Sequence, residues 1–305
     1  MLKKLTATVL AASMINLVPA GGAEAAAKPK TPSGVSATSA ILFDSTTGKV
    51  LWKRNANKRM PVGSMNKVAL AMVVLQKGGL GSKIKIKQKY KDWVDDWGAS
   101  NSHLVPGDVL TARQLLEAML IESGSDAAYA LADSYGGTGG YLGAQAKMNA
   151  LAKKLGMKDT HYTSFDGQPA KGDRTTAADQ LKLARYAMKN KTFSAIVRIV
   201  KKDIVSASGR KYPLRTHNLL LKGSGTDENN TGYPGLYGIK TGTTNSAGAC
   251  FMFVARRKKH TVYGVVLNSS SSTARFQDTA KMLDWAYGTK TAVTILTPAP
   301  PRLRN

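Results

Sequence analysis

The chain has very little cysteine and histidine. Its single cysteine, Cys250, excludes an internal disulfide bond, and the apolar run around it, Ala249–Ala255, predicts a buried structural thiol. The four histidines are scattered, and no two of them have the spacing of metal ligands. The sequence therefore predicts neither a metal site nor a cofactor.

After the N-terminal segment, the chain has no long apolar run. Residues 1–27 have the pattern of a secretory signal. A basic start precedes a mostly apolar stretch, residues 5–18, and small residues at 23–27 offer a cleavage site. Ser13 and Asn16 interrupt the apolar stretch, which is also short for a membrane span. Export with cleavage is therefore favoured over a transmembrane anchor, and we expect a secreted protein at the cell wall or membrane surface.

The rest of the chain divides into a leader, a folded part and a tail. Residues 28–39 are rich in Pro, Ser, Thr and Ala and predict a flexible leader, and residues 291–305 predict a proline-containing tail. Residues 40–290 are long enough to bury a large core, in one composite domain or two small ones.

Acidic residues are scarce beside the basic ones. The chain has 44 Lys and Arg but only 19 Asp and Glu, which gives a net charge of +25 at pH 7. Such a field attracts polyanions in general. No basic stretch is interleaved with aromatic residues as in nucleic-acid-binding faces, and an exported protein seldom meets nucleic acid. We therefore expect no nucleic acid as partner but an anionic cell-wall polymer, adsorbed by charge without a specific site.

Strand patterns stand near both ends of the chain, and helix patterns lie between them. Residues 40–55 have a hairpin signature, and strands are predicted at Tyr237–Thr241, Ala249–Arg256 and Thr261–Leu267. Helices are predicted at 61–76, 112–121, 126–133, 144–155, 176–189 and 273–287. This order predicts an α/β (α+β) fold with one antiparallel sheet assembled from distant segments and an inserted all-helical lobe.

The predicted helix Pro61–Gln76 carries a serine and a lysine at its start. Ser64 and Lys67 are three residues apart and therefore share one helical face. A hydroxyl and an amine beside free N–H groups and the positive end of the helix dipole form a plausible nucleophile and base. An ordinary N-terminal helix serine is the alternative, because Ser-x-x-Lys also occurs at Ser82–Lys85 and Ser208–Lys211.

Two further motifs follow Ser64-Met65-Asn66-Lys67. Ser123-Gly124-Ser125 lies in a predicted turn between helices, and Lys240-Thr241-Gly242 lies on a predicted strand. In this order, such motifs are the signature of class A β-lactamases and penicillin-binding proteins. Other matching stretches are Val105–Asp108, Gln114–Leu116, Asp126–Ala128 and Ser164–Gly167. Over residues 40–287 the chain resembles the D-alanyl-D-alanine carboxypeptidase/DD-transpeptidase family, the low-molecular-mass penicillin-binding proteins of Gram-positive secreted type.

The resemblance implies a β-lactamase/transpeptidase-like fold and an exported serine peptidase that acts on peptidoglycan stem peptides ending in D-Ala-D-Ala. Ser64 would attack the penultimate D-Ala carbonyl to form an acyl-enzyme, Lys67 would take the proton, and Ser123 would relay a proton toward the leaving amine. β-Lactam antibiotics would acylate the same serine. We expect a monomer.

The resemblance also assigns substrate binding to the third motif. Lys240 would provide positive charge for the terminal carboxylate of the substrate and help to lower the pKa of the base lysine, and Thr241 would hydrogen-bond that carboxylate. Gly242 would let the substrate lie close to the strand. The backbone N–H groups of Ser64 and Thr243 would form the oxyanion hole.

Ser125 departs from the family pattern, which usually has Asn at this place. A serine side chain is shorter than an amide, so we expect it to reach less far toward substrate and lysine, and to bind substrate less firmly. A catalytically weak wall-binding protein is therefore one alternative. A β-lactamase is a less favoured one, because the only glutamate between Ser123 and Lys240 is Glu228, which lies in no Glu-x-x-x-Asn pattern.

Overall fold

The computed structural model describes residues 31–225, 230–291 and 293. The strands are β1 Ser39–Asp44, β2 Lys49–Arg54, β3 Lys83–Lys85, β4 Val109–Thr111, β5 Lys201–Val205, β6 Lys211–Arg215, β7 Leu236–Thr244, β8 Gly248–Arg257 and β9 His260–Ser269. The helices are α1 Asn66–Lys77, α2 Gln88–Trp97, α3 Ala112–Glu117, α4 Ser125–Tyr135, α5 Gly140–Lys154, α6 Ala177–Ala187, α7 Lys191–Ile196 and α8 Ala274–Tyr287.

The main sheet joins the two ends of the chain. Its five strands have the order β2-β1-β9-β8-β7, and every neighbouring pair is antiparallel. The pairing of β1 with β9 places Leu42 opposite Gly264, more than two hundred positions later in the sequence. The prediction of one antiparallel sheet assembled from distant segments, with the helices inserted between them, is confirmed.

Alternate residues of the interior strand β8 face two separate hydrophobic clusters. Phe251 and Phe253 pack with Phe276 of α8 on one face of the sheet. Met252 and Val254 belong to the larger cluster on the other face, which contains α1, α4 and α6. Successive side chains of a strand point to opposite faces, so a strand covered on both faces is apolar throughout.

Helix α1 is the central element of the helical lobe. Residues 68–74 are all buried, and the helix packs against α4, α5 and α6. The helix ends at Gly78, whose N–H donates to the carbonyl of Val74 and whose φ is +76°. The helix predicted over residues 61–76 is thus confirmed from Asn66 onward, after the 3-10 turn Gly63–Met65.

The second helical segment is less regular than its pattern suggests. Thr111 and Gln114 form a capping box at the start of α3. Residues 118–122 then form a π-helical turn, and Ser123 follows with φ +67°. Sequence patterns missed α2, α7, the strand pair β3–β4 and the hairpin β5–β6, since most of these elements are too short to show an apolar period.

Part of the predicted leader is packed on the domain. Val35 and Ala37 are buried, and the backbone N–H groups of Ser36 and Ala37 donate to the carboxylate of Asp278 on α8. This differs from the expected flexible segment. The side chains of Val35 and Ala37 belong to the hydrophobic cluster that contains Phe251, Phe253 and Phe276. The predicted signal at 1–27 and most of the tail lie outside the described residues. Within the described ranges no helix has both the length and the apolar character needed to cross a membrane.

Candidate active site

Ser64 lies in a short turn that leads into α1. Residues Gly63–Met65 form one 3-10 turn, and Asn66 begins the α-helix. The Nζ of Lys67 lies 2.9 Å from the Oγ of Ser64. Lys67 is fully buried, while Ser64 is half-buried. A partly accessible hydroxyl therefore contacts an amine that water does not reach.

Three oxygen atoms surround the Nζ of Lys67. Besides Ser64, it donates to the Oγ of Ser125 at 3.1 Å and to the carbonyl of Asp166 at 3.1 Å. Burial lowers the pKa of Lys67 to about 8, although the negative charges of Asp166 and Asp126 act in the opposite direction. A pKa near neutrality gives the lysine a substantial neutral fraction, which a general base requires.

A second serine–lysine pair faces the first. The Nζ of Lys240 donates to the Oγ of Ser123 at 2.8 Å and to the carbonyl of Thr241 at 3.2 Å. Burial first, and then the charges of Lys67 and Arg275, lower the pKa of Lys240 well below its ordinary value.

The expected electrostatic effect of Lys240 on Lys67 is not the main cause of the low pKa of Lys67. Burial is the largest cause of the lowered pKa of both lysines, and repulsion from the charges of Lys67 and Arg275 adds to it only for Lys240. Two carboxylates, Asp166 and Asp126, stabilise the charge on Lys67, and Glu122 stabilises the charge on Lys240.

The buried carboxylate of Asp126 holds the second motif in place. It accepts hydrogen bonds from the backbone N–H groups of Ser102, Leu104 and Ala127. Burial raises the pKa of Asp126 despite these three donors. A Cβ at Gly124 would lie 2.0 Å from the Oγ of Ser102, so the motif needs glycine at its centre. The segment around Ser102 is thereby fixed against the motif.

Ser125 is completely buried at the first position of α4. Its hydroxyl contacts the Nζ of Lys67 directly, at 3.1 Å. This differs from the expectation of a shorter reach toward the lysine, because the start of α4 brings the backbone itself close to α1. The contact with Lys67 does not change the expectation for the substrate, because a serine side chain has no amide that could donate a hydrogen bond to it.

The third motif lies directly against the turn that carries Ser64. A Cβ at Gly242 would lie 2.0 Å from the carbonyl oxygen of Val62, and a Cβ at Gly63 would lie 2.9 Å from the backbone nitrogen of Thr243. Neither position has room for a side chain. The backbones that carry the predicted oxyanion-hole donors, Ser64 and Thr243, are therefore close neighbours.

Arg275 on α8 is a site residue that sequence analysis missed. Its Nη1 donates to the carbonyl of Gly242 at 3.2 Å and to the Oγ1 of Thr243 at 2.6 Å. Its Nε is buried without a hydrogen-bond partner in the described part of the chain. Burial lowers the pKa of Arg275 to about 10. The side chain also lines a cavity of about 670 Å³ together with Arg215 and His217.

The segment Ser164–Gly167 also contributes to the site, and sequence analysis assigned it no role. The Asp166 side chain accepts from Nε1 of Trp93 at 3.0 Å and from Oγ of Ser164 at 3.0 Å, which aims its carbonyl at Lys67. A Cβ at Gly167 would lie 1.9 Å from the carbonyl oxygen of Gly63. The match to the family motif pointed to this segment, but no single residue in it suggested a role.

The described ranges contain no group of three or more His, Cys, Asp or Glu side chains that could hold a metal ion. Cys250 is buried, as predicted, and burial raises the pKa of its thiol to about 11. Glu228, the glutamate considered for a β-lactamase, lies outside the described residues.

Known proteins match both the sequence and the fold. The D-alanyl-D-alanine carboxypeptidase family profile matches residues 24–271. The D-alanyl-D-alanine carboxypeptidase of Streptomyces sp. strain K15 is 34% identical over 291 residues, covering 92% of this chain and 95% of that protein. DacB2 of Mycobacterium tuberculosis, also named a D-alanyl-D-alanine carboxypeptidase, is 33% identical over 255 residues and covers 81% of each chain.

The solved structures agree with the sequence matches. The crystal structure of the Streptomyces K15 DD-transpeptidase superposes with a TM-score of 0.78 at 34% identity, covering 85% of this chain and 99% of that one. The predicted β-lactamase/transpeptidase-like fold is thereby confirmed. With the three motifs assembled as described, the chain belongs to the D-alanyl-D-alanine carboxypeptidase family.

Proposed function

We propose that this chain is a serine D-Ala-D-Ala carboxypeptidase/transpeptidase that acts on peptidoglycan stem peptides through an acyl-enzyme. The observation that carries the proposal is the contact of 2.9 Å between Ser64 Oγ and the fully buried Lys67. Relatives named as D-alanyl-D-alanine carboxypeptidases and a DD-transpeptidase support the substrate class.

In the first step, Ser64 Oγ attacks the carbonyl carbon of the penultimate D-Ala, and its proton passes to neutral Lys67. The pKa of about 8 supports Lys67 as this base. The carbonyl oxygen becomes an oxyanion that accepts hydrogen bonds from the backbone N–H groups of Ser64 and Thr243. The close approach of Gly63 to the nitrogen of Thr243 supports this pairing of donors.

In the second step, the peptide C–N bond breaks and the terminal D-Ala leaves as an amine. Ser123 gives its proton to that nitrogen, and the contact of 2.8 Å with Lys240 supports resupply of the proton from the lysine. Water or the amine of another stem peptide then attacks the acyl carbon. The attacking group gives a proton to Lys240, which the previous step left neutral, as the new C–O or C–N bond forms. The acyl C–O bond to Ser64 then breaks, and Lys67 returns its proton to the Oγ of Ser64.

The terminal carboxylate of the substrate would lie between the third motif and α8. Lys240 and Thr241 are its expected partners, whereas the missing side chain of Gly242 makes room for the carbonyl of Val62 rather than for the peptide. Arg275 is an additional partner, since its buried Nε lacks an acceptor in the described part of the chain and the side chain lines a cavity. A bound carboxylate would raise the pKa of Lys240 and favour its charged form.

The same site would take β-lactams, with Ser64 as the acylated residue. The net charge of +25 supports retention of an exported, monomeric protein at an anionic cell wall. A catalytically weak wall-binding protein remains the second candidate because Ser125 replaces the usual Asn.

Two measurements on the purified chain test the proposal together. Mass spectrometry after incubation with benzylpenicillin should show one stable adduct, and a D-Ala-D-Ala peptide should release D-alanine. An adduct without D-alanine release would favour the weak wall-binding protein. Rapid turnover of penicillin would favour a β-lactamase, and the absence of any adduct would contradict the assigned nucleophile.

A further inference from the structure

Two adjoining cavities on the helical lobe are lined by lysines. One, of about 400 Å³, is lined by Lys77, Lys83, Lys85 and Lys87, and the other, of about 390 Å³, by Lys77, Lys147 and Lys154. Both cavities also share Tyr135. Neither lining contains an Asp or Glu among the described residues. We refer to the surface formed by these six lysines as the lysine groove.

Most of the charges in the lysine groove are not neutralised. The side chains of Lys83, Lys85 and Lys154 are exposed and make no hydrogen bond or ion pair within the described ranges. Lys77 lies over the ring of Tyr135 at 5.4 Å. By contrast, Lys87 at one end is paired with Asp133 at 2.9 Å. Several free positive charges thus converge on one concave surface.

The fold fixes the floor of this surface. Tyr135 donates its hydroxyl hydrogen to the carbonyls of Gly78 and Gly79, in the turn that links α1 to β3. Lys83 and Lys85 project from one face of β3, because the intervening Ile84 is buried on the other. The lysines therefore come from separate elements held in a defined arrangement, unlike charges spread along one solvated helix.

We propose that the lysine groove binds a linear polyanion with one phosphodiester charge per repeat, such as a polyol phosphate of the cell wall. This inference rests on the proposed retention at an anionic wall and gives that retention a site. Every cation in the groove is lysine, a compact point charge on a flexible stem, which suits single charges spaced along a chain. A concave surface contacts a polymer strand on several sides, whereas a membrane offers a flat one.

The groove lies away from the catalytic residues. Lys77 stands ten positions after Lys67 on α1, and a helix rises 1.5 Å per residue, so the two are about 15 Å apart along the axis. A polymer held at the far end of α1 leaves Ser64 accessible. Retention and acylation can therefore be changed independently.

Binding of the mature chain to a synthetic poly(glycerol phosphate) tests the proposal, with Lys77→Gln/Lys83→Gln/Lys85→Gln as the groove variant. The matched control is Lys49→Gln/Lys53→Gln/Lys58→Gln, which removes the same charge from exposed positions near β2. We expect the groove variant to bind at least about tenfold more weakly than the control, and the difference to shrink at high salt. Both variants should keep the penicillin adduct.

Equal weakening in both variants would overturn the groove and leave retention by overall charge intact. No binding by the unmodified chain would overturn the groove and the retention together, while the penicillin adduct reports separately on the peptidase. If the groove variant lost only binding to anionic phospholipid vesicles, a membrane would replace the polymer as occupant, which contradicts the proposal. If thermal unfolding shows that the triple variant is misfolded, Lys147→Gln/Lys154→Gln tests the other cavity in the same way.

Discussion

The Nζ of Lys240 lies 2.8 Å from the Oγ of Ser123, and this contact joins β7 to the turn before α4 across 117 residues of sequence. Each motif serine thus has its own buried lysine, since Lys67 contacts Ser64. Two buried ammonium groups repel each other, and carboxylates counter this at both: Asp166 and Asp126 act on Lys67, and Glu122 acts on Lys240. An anionic substrate would add a further counter-charge beside Lys240.

The first prediction concerns the identity of the nucleophile. Ser64→Ala should abolish the covalent penicillin adduct and leave the thermal midpoint almost unchanged, because this serine makes no capping hydrogen bond in the turn. Peptide mapping after labelling provides the measurement. Ser208→Ala is the control: the hydroxyl of Ser208 donates to Asp108, and no hydrogen bond joins it to Lys211 among the described residues, so the adduct should persist. An adduct mapped to Ser82 or Ser208 would contradict the assignment.

The second prediction concerns pH. In the proposed mechanism neutral Lys67 is the base. With its pKa at about 8, the acylation rate should rise about tenfold per pH unit below this value and level off above it. Stability should change in the same direction. The pKa is lower in the folded chain than the ordinary 10.5, so the free energy of unfolding should increase as pH rises from about 8 to 10.5.

Rates of acylation by a fluorescent penicillin across this range measure the first effect, and urea unfolding at the same pH values measures the second. Lys67→Ala should remove both the fast acylation and the stability increase attributed to this group. An acylation rate that stays flat or falls between pH 6 and pH 8 would rule out Lys67 as the base.

Much of the fold could be predicted from sequence because its most deeply buried segments are continuously apolar. The apolar runs of α1 and β8 mark a buried helix and a buried strand. The motifs Ser64–Lys67 and Lys240–Gly242 lie on these well-marked elements, which is why their positions could be anticipated from sequence. Small elements such as β3 were missed, since three residues show no period.

The parts of the site that sequence analysis missed depend on contacts between distant residues. Arg275 is one basic residue in an amphipathic helix, and only the packing of α8 against β8 and β9 places its guanidinium beside Gly242. The carbonyl of Asp166 has no side-chain signal at all. Likewise, the direct contact of Ser125 with Lys67 depends on the distance between α1 and α4, which no spacing in the sequence specifies.

The third prediction concerns Arg275 as a partner of the substrate carboxylate. Loss of a charge-assisted hydrogen bond costs about 1.5–3 kcal/mol, so Arg275→Gln should lower kcat/KM for a peptide ending in free D-alanine by roughly tenfold to a hundredfold. The same peptide ending in D-alaninamide has no carboxylate, so its kcat/KM should fall only slightly in the variant. The measurement is the ratio of the two kcat/KM values. A variant that merely distorts Thr243 would lower both equally and leave the ratio unchanged.

The fourth prediction concerns Ser125. Its hydroxyl already contacts Lys67, so acylation by penicillin should be efficient, but the side chain lacks an amide that can donate to the peptide. One orienting hydrogen bond contributes about 0.5–1.5 kcal/mol, up to roughly tenfold in rate. Ser125→Asn should therefore raise D-alanine release without changing which serine is labelled. Ser125→Ala, the matched control, removes the contact with Lys67 and should slow both reactions.

The room available decides how large the gain in Ser125→Asn can be. Ser125 is fully buried, and its N–H donates to the carbonyl of Ser100 at 2.7 Å, so the backbone cannot retreat easily from a larger side chain. Steady-state D-alanine release and the thermal midpoint, measured for all three proteins, separate the two effects. A lower midpoint with slower release indicates overpacking. If Ser125→Asn is as stable as the parent and no faster, serine already positions the peptide as well as asparagine does, and the explanation given for this departure is wrong.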